Sequence, residues 1–223
     1  TIFYLIFKLI GLRIDAEALT LAESLFPERP NENSFLSDAP RRIMAFLLTY
    51  RPDAAQIVAW LSDPAELDRL LAGTPYAVMI DKNAGPQRAG VLASLNMVAD
   101  ALQLLPTARA TTQRWSATAW SATRRGWLFF TSTPETRARL VPLTSLWLDT
   151  LVLRLMNQDQ PASRRTWFVI DELASLQRLP QLHTAMTEAR KSNSPLVLGF
   201  QGRSQLAKRY GLDAAAMLSQ PAP

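Results

Sequence analysis

The apolar residues of this 223-residue chain keep two different rhythms. Up to Leu105 they recur at three and four, as in Val91, Leu95, Val98, Leu102 and Leu105, which is the stripe of an amphipathic helix. From Gly126 onward, three compact apolar runs, Gly126–Thr131, Thr166–Asp171 and Leu196–Gln201, are separated by stretches of helical period. Strand, helix, strand, helix, strand is the grammar of right-handed crossovers and of a parallel sheet buried on both faces. The first rhythm predicts an all-α segment and the second an α/β segment.

Punctuation agrees with the first prediction. Asp15 precedes an Ala/Leu run to Phe26, and the stretch from Pro27 to Asn33 breaks it. Pro40 is tolerated in a first turn, and Ile43, Phe46, Leu47 and Tyr50 fall on one stripe. Asp53 can cap a short helix carrying Ile57, Val58, Trp60 and Leu61, while Asp63-Pro64-Ala65-Glu66 reads as a capping box closed by Gly73. Tyr76–Ile80 fits a strand or a helix, with Thr74-Pro75 ahead of it favouring helix, and Pro106 ends the last helix of the series. Later, Thr133-Pro134 opens a helix of about two dozen residues marked by Leu140, Leu143, Trp147, Leu151 and Leu155.

The predicted organisation is a short apolar segment at 1–12, an all-α domain at 13–106, a basic Trp-containing connector at 107–125 and an α/β segment at 126–223. Residues 1–12 fall short of the roughly 20 apolar residues that a membrane-spanning helix needs. They lack an initiating Met and a cleavage pattern. The chain is expected to be a piece of something longer, a split gene product or a degenerate copy.

Composition removes several chemistries. With no Cys there is no disulfide framework, thiolate nucleophile or zinc knuckle, and with His183 as the single His no site can need two imidazoles. Carboxylates, hydroxyls, Arg, Lys and backbone dipoles remain, a set suited to phosphoryl transfer. Charge is uneven: residues 1–100 carry 9 basic and 12 acidic side chains, giving −3, and residues 101–223 carry 15 and 7, giving +8. The second half is therefore the candidate for a polyanionic partner.

In a parallel sheet, ligands bind beyond the carboxyl ends of the strands. Thr131, Asp171-Glu172 and Gln201 stand there. An apolar strand followed by adjacent carboxylates is the Walker B pattern: Asp171 can reach a Mg2+ hydration shell, and Glu172 can orient or deprotonate the attacking water. Gln201 can hydrogen-bond the γ-phosphate. The same Asp-Glu pair is equally a simple helix cap, and no G-x-x-x-x-G-K-[ST] loop is present among the eight glycines to hold the phosphates.

Arg125-Gly-Trp-Leu-Phe-Phe, Leu146-Trp-Leu-Asp149, Thr166-Trp-Phe-Val-Ile-Asp-Glu-Leu-Ala-Ser-Leu176, Leu179-Pro-Gln-Leu182, Glu188-Ala-Arg-Lys191 and Gly199-Phe-Gln-Gly-Arg-Ser-Gln-Leu206, with Tyr210-Gly211, resemble in order and spacing the C-terminal ATPase core of TraD-like coupling proteins of conjugative type IV secretion. The resemblance implies a partial RecA-like P-loop motor core with an inserted all-α domain, using ATP and Mg2+. It implies a homo-hexameric ring at the cytoplasmic face of the bacterial inner membrane that docks relaxase–DNA cargo to the secretion channel and pumps single-stranded DNA. By position, Asp171 (metal, through water) and Glu172 would be the Walker B pair, Gln201 the sensor and Arg190 the arginine that reaches a neighbouring subunit; Thr131, at the end of the first apolar run, is a further candidate nucleotide contact by its place alone. The family's membrane helices, Walker A loop and closing strands are missing from this sequence, so ATPase activity would belong to a longer protein. The other readings are a translocase of the FtsK or HerA type, and a non-catalytic module that recruits cargo.

Arg114, Arg124, Arg125, Arg203, Lys208 and Arg209 are the candidate phosphate contacts for DNA. Trp115 and Trp120 either stack on bases or fill a seam between domains. Arg190-Lys191 also suits a helix C-terminus by dipole complementarity alone.

Overall fold

The computed structural model describes residues 14–30, 32–106, 115–156, 165–182, 185–186 and 193–219, without the side chains at 14–17 and 118. Arg114, His183, Arg190 and Lys191 lie outside the described residues, as do segment 1–12 and much of the stretch of helical period between the second and third apolar runs. No helix among the described residues is long and apolar enough to cross a membrane.

The described residues up to Gln103 are mainly helical, as their period demands. Helices α1 (Ile14–Leu25), α2 (Phe35–Thr49), α3 (Ala54–Ser62), α4 (Pro64–Leu71) and α5 (Gly85–Gln103) follow one another, with a 3-10 turn at Ala77–Ile80. Asp53 accepts from the Gln56 amide at 2.8 Å and Asp63 from the Ala65 amide at 2.9 Å, so two predicted caps are formed. The box at Asp63 is only half made. Glu66, instead of reaching back, takes a two-pronged bond from Arg69 at 2.7 and 2.8 Å, because a guanidinium one turn on outcompetes a backbone amide for a carboxylate. Gly73 sits at φ +73 just past α4, where the left-handed backbone favours glycine.

Around Asp68 the bundle is pinned by charge. Arg88 donates to both carboxylate oxygens at 2.7 and 3.1 Å and to the Ile80 carbonyl, and Lys82 adds a contact at 3.1 Å. These bonds hold the Asp68 carboxyl below its usual range, with the Arg88 bond the largest cause.

Helix α6 (Ala117–Thr123) leads to α7 (Pro134–Met156), strand β1 (Phe168–Ile170), a 3-10 turn (Leu173–Ser175), strand β2 (Leu196–Leu198), α8 (Arg203–Tyr210) and α9 (Asp213–Ser219). The strands pair in parallel, Phe168 with Leu196, Val169 with Val197 and Ile170 with Leu198. Here one expectation is corrected: Gly126–Thr131 is no strand. Trp127 and Phe129 are 86% and 76% exposed, and no described strand lies beside the run to accept a ladder, so the run stays irregular despite its composition. Among the described residues the molecule is mostly helical with a two-stranded parallel sheet.

Two hydrophobic cores result, and α7 serves both. Leu143 and Leu146 pack into the core built on α1 to α5. One turn on, Leu148, Leu151, Val152 and Leu155 pack with Phe168, Ile170, Leu173, Leu206 and Tyr210. A helix wedged between two cores must be apolar nearly all round, which explains its dense Leu content. At the handover sit buried polar groups, Ser145, Asp149 and Thr150, with Asp149 only 1% exposed.

Candidate functional site

Strand β1 is short and alternates buried Phe168 and Ile170 with exposed Val169, so its last buried residue fixes where the chain leaves the core. Asp171 follows at once and is exposed. Glu172 turns inward and its Oε1 accepts from the Ala174 amide at 3.1 Å, capping the 3-10 turn. That is the capping role the sequence left open, and the second carboxylate oxygen is not consumed by that bond.

Beside it, β2 ends at the same level. The Gly199 amide donates to the Ile170 carbonyl at 2.7 Å, and the Leu173 amide donates to the Gly199 carbonyl at 2.8 Å. A Cβ at Gly199 would lie 1.9 Å from the Asp171 carbonyl oxygen, so the close approach of the two strand ends requires glycine. Gln201 is exposed, and its amide donates to Gln205 Oε1 at 3.1 Å, which fixes the start of α8. Asp171, Glu172 and Gln201 therefore share one end of the sheet.

The remaining candidates are more dispersed. Thr131 is exposed on the irregular run before α7. Arg125, Arg203 and Lys208 are exposed, whereas Arg209 is half-buried and donates to the Ala174 carbonyl at 2.9 Å. Arg124 is half-buried, takes a left-handed backbone at the end of α6 and donates to the Ser121 carbonyl at 3.1 Å. Trp120 packs on the α/β core and Trp115 is exposed. No group of three or more His, Cys, Asp or Glu that could hold a metal occurs among the described residues.

What sequence reasoning missed is the polar seam behind the strand end. Asp149 accepts from Ser24 Oγ at 2.5 Å and from the Gln181 amide at 2.9 Å. Burial raises its carboxyl to about 6; the bonds from Ser24 and Gln181 oppose the rise, and the nearby Glu23 charge adds to it. Gln177 donates its amide to Ser145 Oγ at 3.1 Å and its side chain to the Ser24 and Leu25 carbonyls at 2.7 and 3.1 Å. Tyr210, buried beneath this segment, accepts from the Leu179 amide at 3.4 Å, and its hydroxyl is pushed up to about 12, chiefly by burial. An Asp amid leucines at the centre of a long helix was the available signal.

In sequence and in fold the chain matches the coupling proteins of bacterial conjugation. Residues 10–222 match the family model described as the type IV secretion-system coupling protein DNA-binding domain, and the chain belongs to that family. It is 29% identical over 209 residues to the coupling protein TraD of Escherichia coli (strain K12), covering 88% of this chain and 29% of TraD. Among solved structures it is similar to the bacterial conjugative coupling protein TrwB in complex with sulphate, with a TM-score of 0.77 at 25% identity over 93% of this chain and 51% of that one. TrwB in complex with ADP and Mg2+ gives the same TM-score at 24% identity. The chain thus spans about half the length of the TrwB structures and less than a third of TraD.

Proposed function

We propose that this chain is the all-α domain together with the Walker B half of a RecA-like motor, which in a longer coupling protein uses ATP to move single-stranded DNA. The observation that carries this reading is the Asp171-Glu172 pair at the carboxyl end of a parallel strand, held against Gly199 by a contact that admits no side chain. The exposed sheet face adds support. Trp167, Val169 and Val197 face outward, and a parallel sheet is ordinarily covered on both faces, as it would be within a larger motor domain.

The donor set suits Mg2+ and a nucleotide only in part. Asp171, exposed and carboxylate-bearing, would hold the metal's water shell, and Gln201 would face the phosphates. Bound Mg2+ supplies charge neutralisation on the phosphates. Glu172 would hold the attacking water in line and accept its proton. Thr131 would be a further nucleotide contact and Arg190 would act across a subunit boundary. The phosphate cradle is expected from sequence outside these 223 residues. Within this reading the assembly is a homo-hexamer at the cytoplasmic face of the inner membrane, with relaxase–DNA cargo and channel proteins as partners.

Glu172→Gln in the longer polypeptide tests the proposal. Nucleotide affinity is expected to stay within about twofold, while turnover falls on the order of a hundredfold, the usual contribution of a positioned general base. Wild-type turnover in that variant would make Glu172 a structural cap, the role the bond from the Ala174 amide already gives it.

A further inference from the structure

We infer that Asp149 is a positioning residue that couples the strand-end carboxylates to the helical bundle through the segment Leu173–Leu182. The segment is anchored at both ends. At the strand end, Glu172 accepts from Ala174, Leu173 donates to Gly199, and Arg209 donates to the Ala174 carbonyl. At the bundle end, Gln181 donates to Asp149, whose other oxygen takes the Ser24 hydroxyl of α1.

Two further ties run in parallel. Gln177 grips the last-turn carbonyls of α1 at Ser24 and Leu25, and Arg178 bridges Glu28, just after α1, at 3.2 Å and Asp213 of α9 at 2.6 Å. Between the anchors the chain holds only one 3-10 turn, at Leu173–Ser175. Because Arg209, Ser145, Tyr210 and Asp149 hold Ala174, Gln177, Leu179 and Gln181 in turn, a displacement of Glu172 is passed along the segment to Gln177 and Gln181. An apolar residue at 149 would join the two cores equally well by packing, since a buried charge gains little net stability. The polar choice gives directed bonds to α1 on one side and to the strand-end segment on the other, which packing alone does not supply.

That this transmits a nucleotide signal rests on the site reading above; the mechanical tie does not, and the test separates them. Hydrogen exchange is measured on the full chain without nucleotide, in wild type, Glu172→Ala, Asp149→Leu and the double variant. Glu172→Ala frees the Ala174 amide and is expected to raise exchange roughly fivefold both at Gln177 and Gln181 and in the last turn of α1. In the Asp149→Leu background the same change should raise exchange at Ala174 as before and add clearly less in α1, the remainder passing through Gln177. If Asp149→Leu does not fold, Ser24→Ala and Gln177→Ala serve in its place. Asp149→Asn, which keeps an acceptor for Gln181 and gains a donor toward Ser24, should restore the wild-type response, a rescue that mere space-filling would not give. An α1 unmoved by Glu172→Ala, or moved by the same factor with and without Asp149, would overturn the inference. A second arm adds ATP and Mg2+ to the longer protein: loss of protection at 171–175 there would count against the nucleotide site and leave the tie as the first arm found it.

Discussion

Asp149 and Asp68 are both partnered carboxylates, yet they act on stability with opposite sign. Asp68 is held low by Arg88, so its contribution is present above its unfolded pKa and is lost as pH falls through the folded value. Asp149 is raised to about 6 by burial, so the folded chain holds that proton more tightly than the unfolded one. Its contribution is therefore complete below the ordinary carboxylate value of about 4 and fades as pH rises through about 6. Relative to the protonated form, the buried charge costs on the order of 3 kcal/mol at neutral pH. Protonation need not break the seam, because the carboxylic acid can donate to Ser24 Oγ while that hydroxyl turns to the Thr20 carbonyl at 3.1 Å. Glu23 on α1 and Tyr210 on α8 are the titratable groups coupled to Asp149. Urea unfolding of wild type and Asp149→Asn at pH 4, 5, 6 and 7 should show the difference between them growing in favour of Asn as pH rises. A difference that is flat with pH would mean that the Asp149 carboxyl ionises in the fold as readily as in the unfolded chain, so that burial does not raise it.

At the scale of elements, the sequence was most legible where one period and one cap agreed. The five helices up to Gln103 follow from their stripes, from Asp53 and Asp63 and from Gly73, because these signals are local. The run at Gly126–Thr131 misled for the opposite reason: a strand is completed by its neighbour, and composition carries no record of the neighbour. Likewise, no period shows that α7 passes from one core to the other, since Leu140, Leu143, Trp147, Leu151 and Leu155 continue one stripe across both. Within the candidate site, Asp171, Glu172 and Gln201 were visible as residues ending apolar runs, whereas the seam of Ser24, Asp149 and Gln177 joins positions more than a hundred residues apart and leaves no local pattern. Gly199 offers the sharpest test at this scale. Alanine there would place its Cβ 1.9 Å from the Asp171 carbonyl oxygen, and backbone on both sides leaves no flexible group to yield. Gly199→Ala should lower stability by about 1–3 kcal/mol through separation of the strand ends. It should also widen the exchange of the Leu173 amide, which donates to Gly199. Unchanged denaturation midpoints would show that the two ends stand farther apart than the described packing allows.

For the whole molecule, charge decides where a polyanion can land. The first hundred residues carry −3 and the remainder +8, so a DNA strand should be drawn to the second half. The structure divides the basic candidates there: Arg125, Arg203 and Lys208 are exposed, while Arg209 is committed to the Ala174 carbonyl. Contacts made by exposed Arg and Lys would fall on phosphates and be indifferent to base, as the proposed motor, passing any sequence, would require. Each phosphate neutralised releases condensed counterions, with a slope of about 0.7 in log affinity per log salt for single strands. Affinity for labelled oligonucleotides, measured by anisotropy from low to physiological salt, should thus fall steeply with salt and vary little with sequence. Arg203→Ala and Lys208→Ala should each reduce the slope by about 0.7 without loss of stability. Arg209→Ala should do the reverse, lowering stability while leaving the slope nearly as it was, because its guanidinium is already occupied within the fold. A slope unmoved by the first two substitutions, or set by the acidic helical segment, would put the DNA path on a different face.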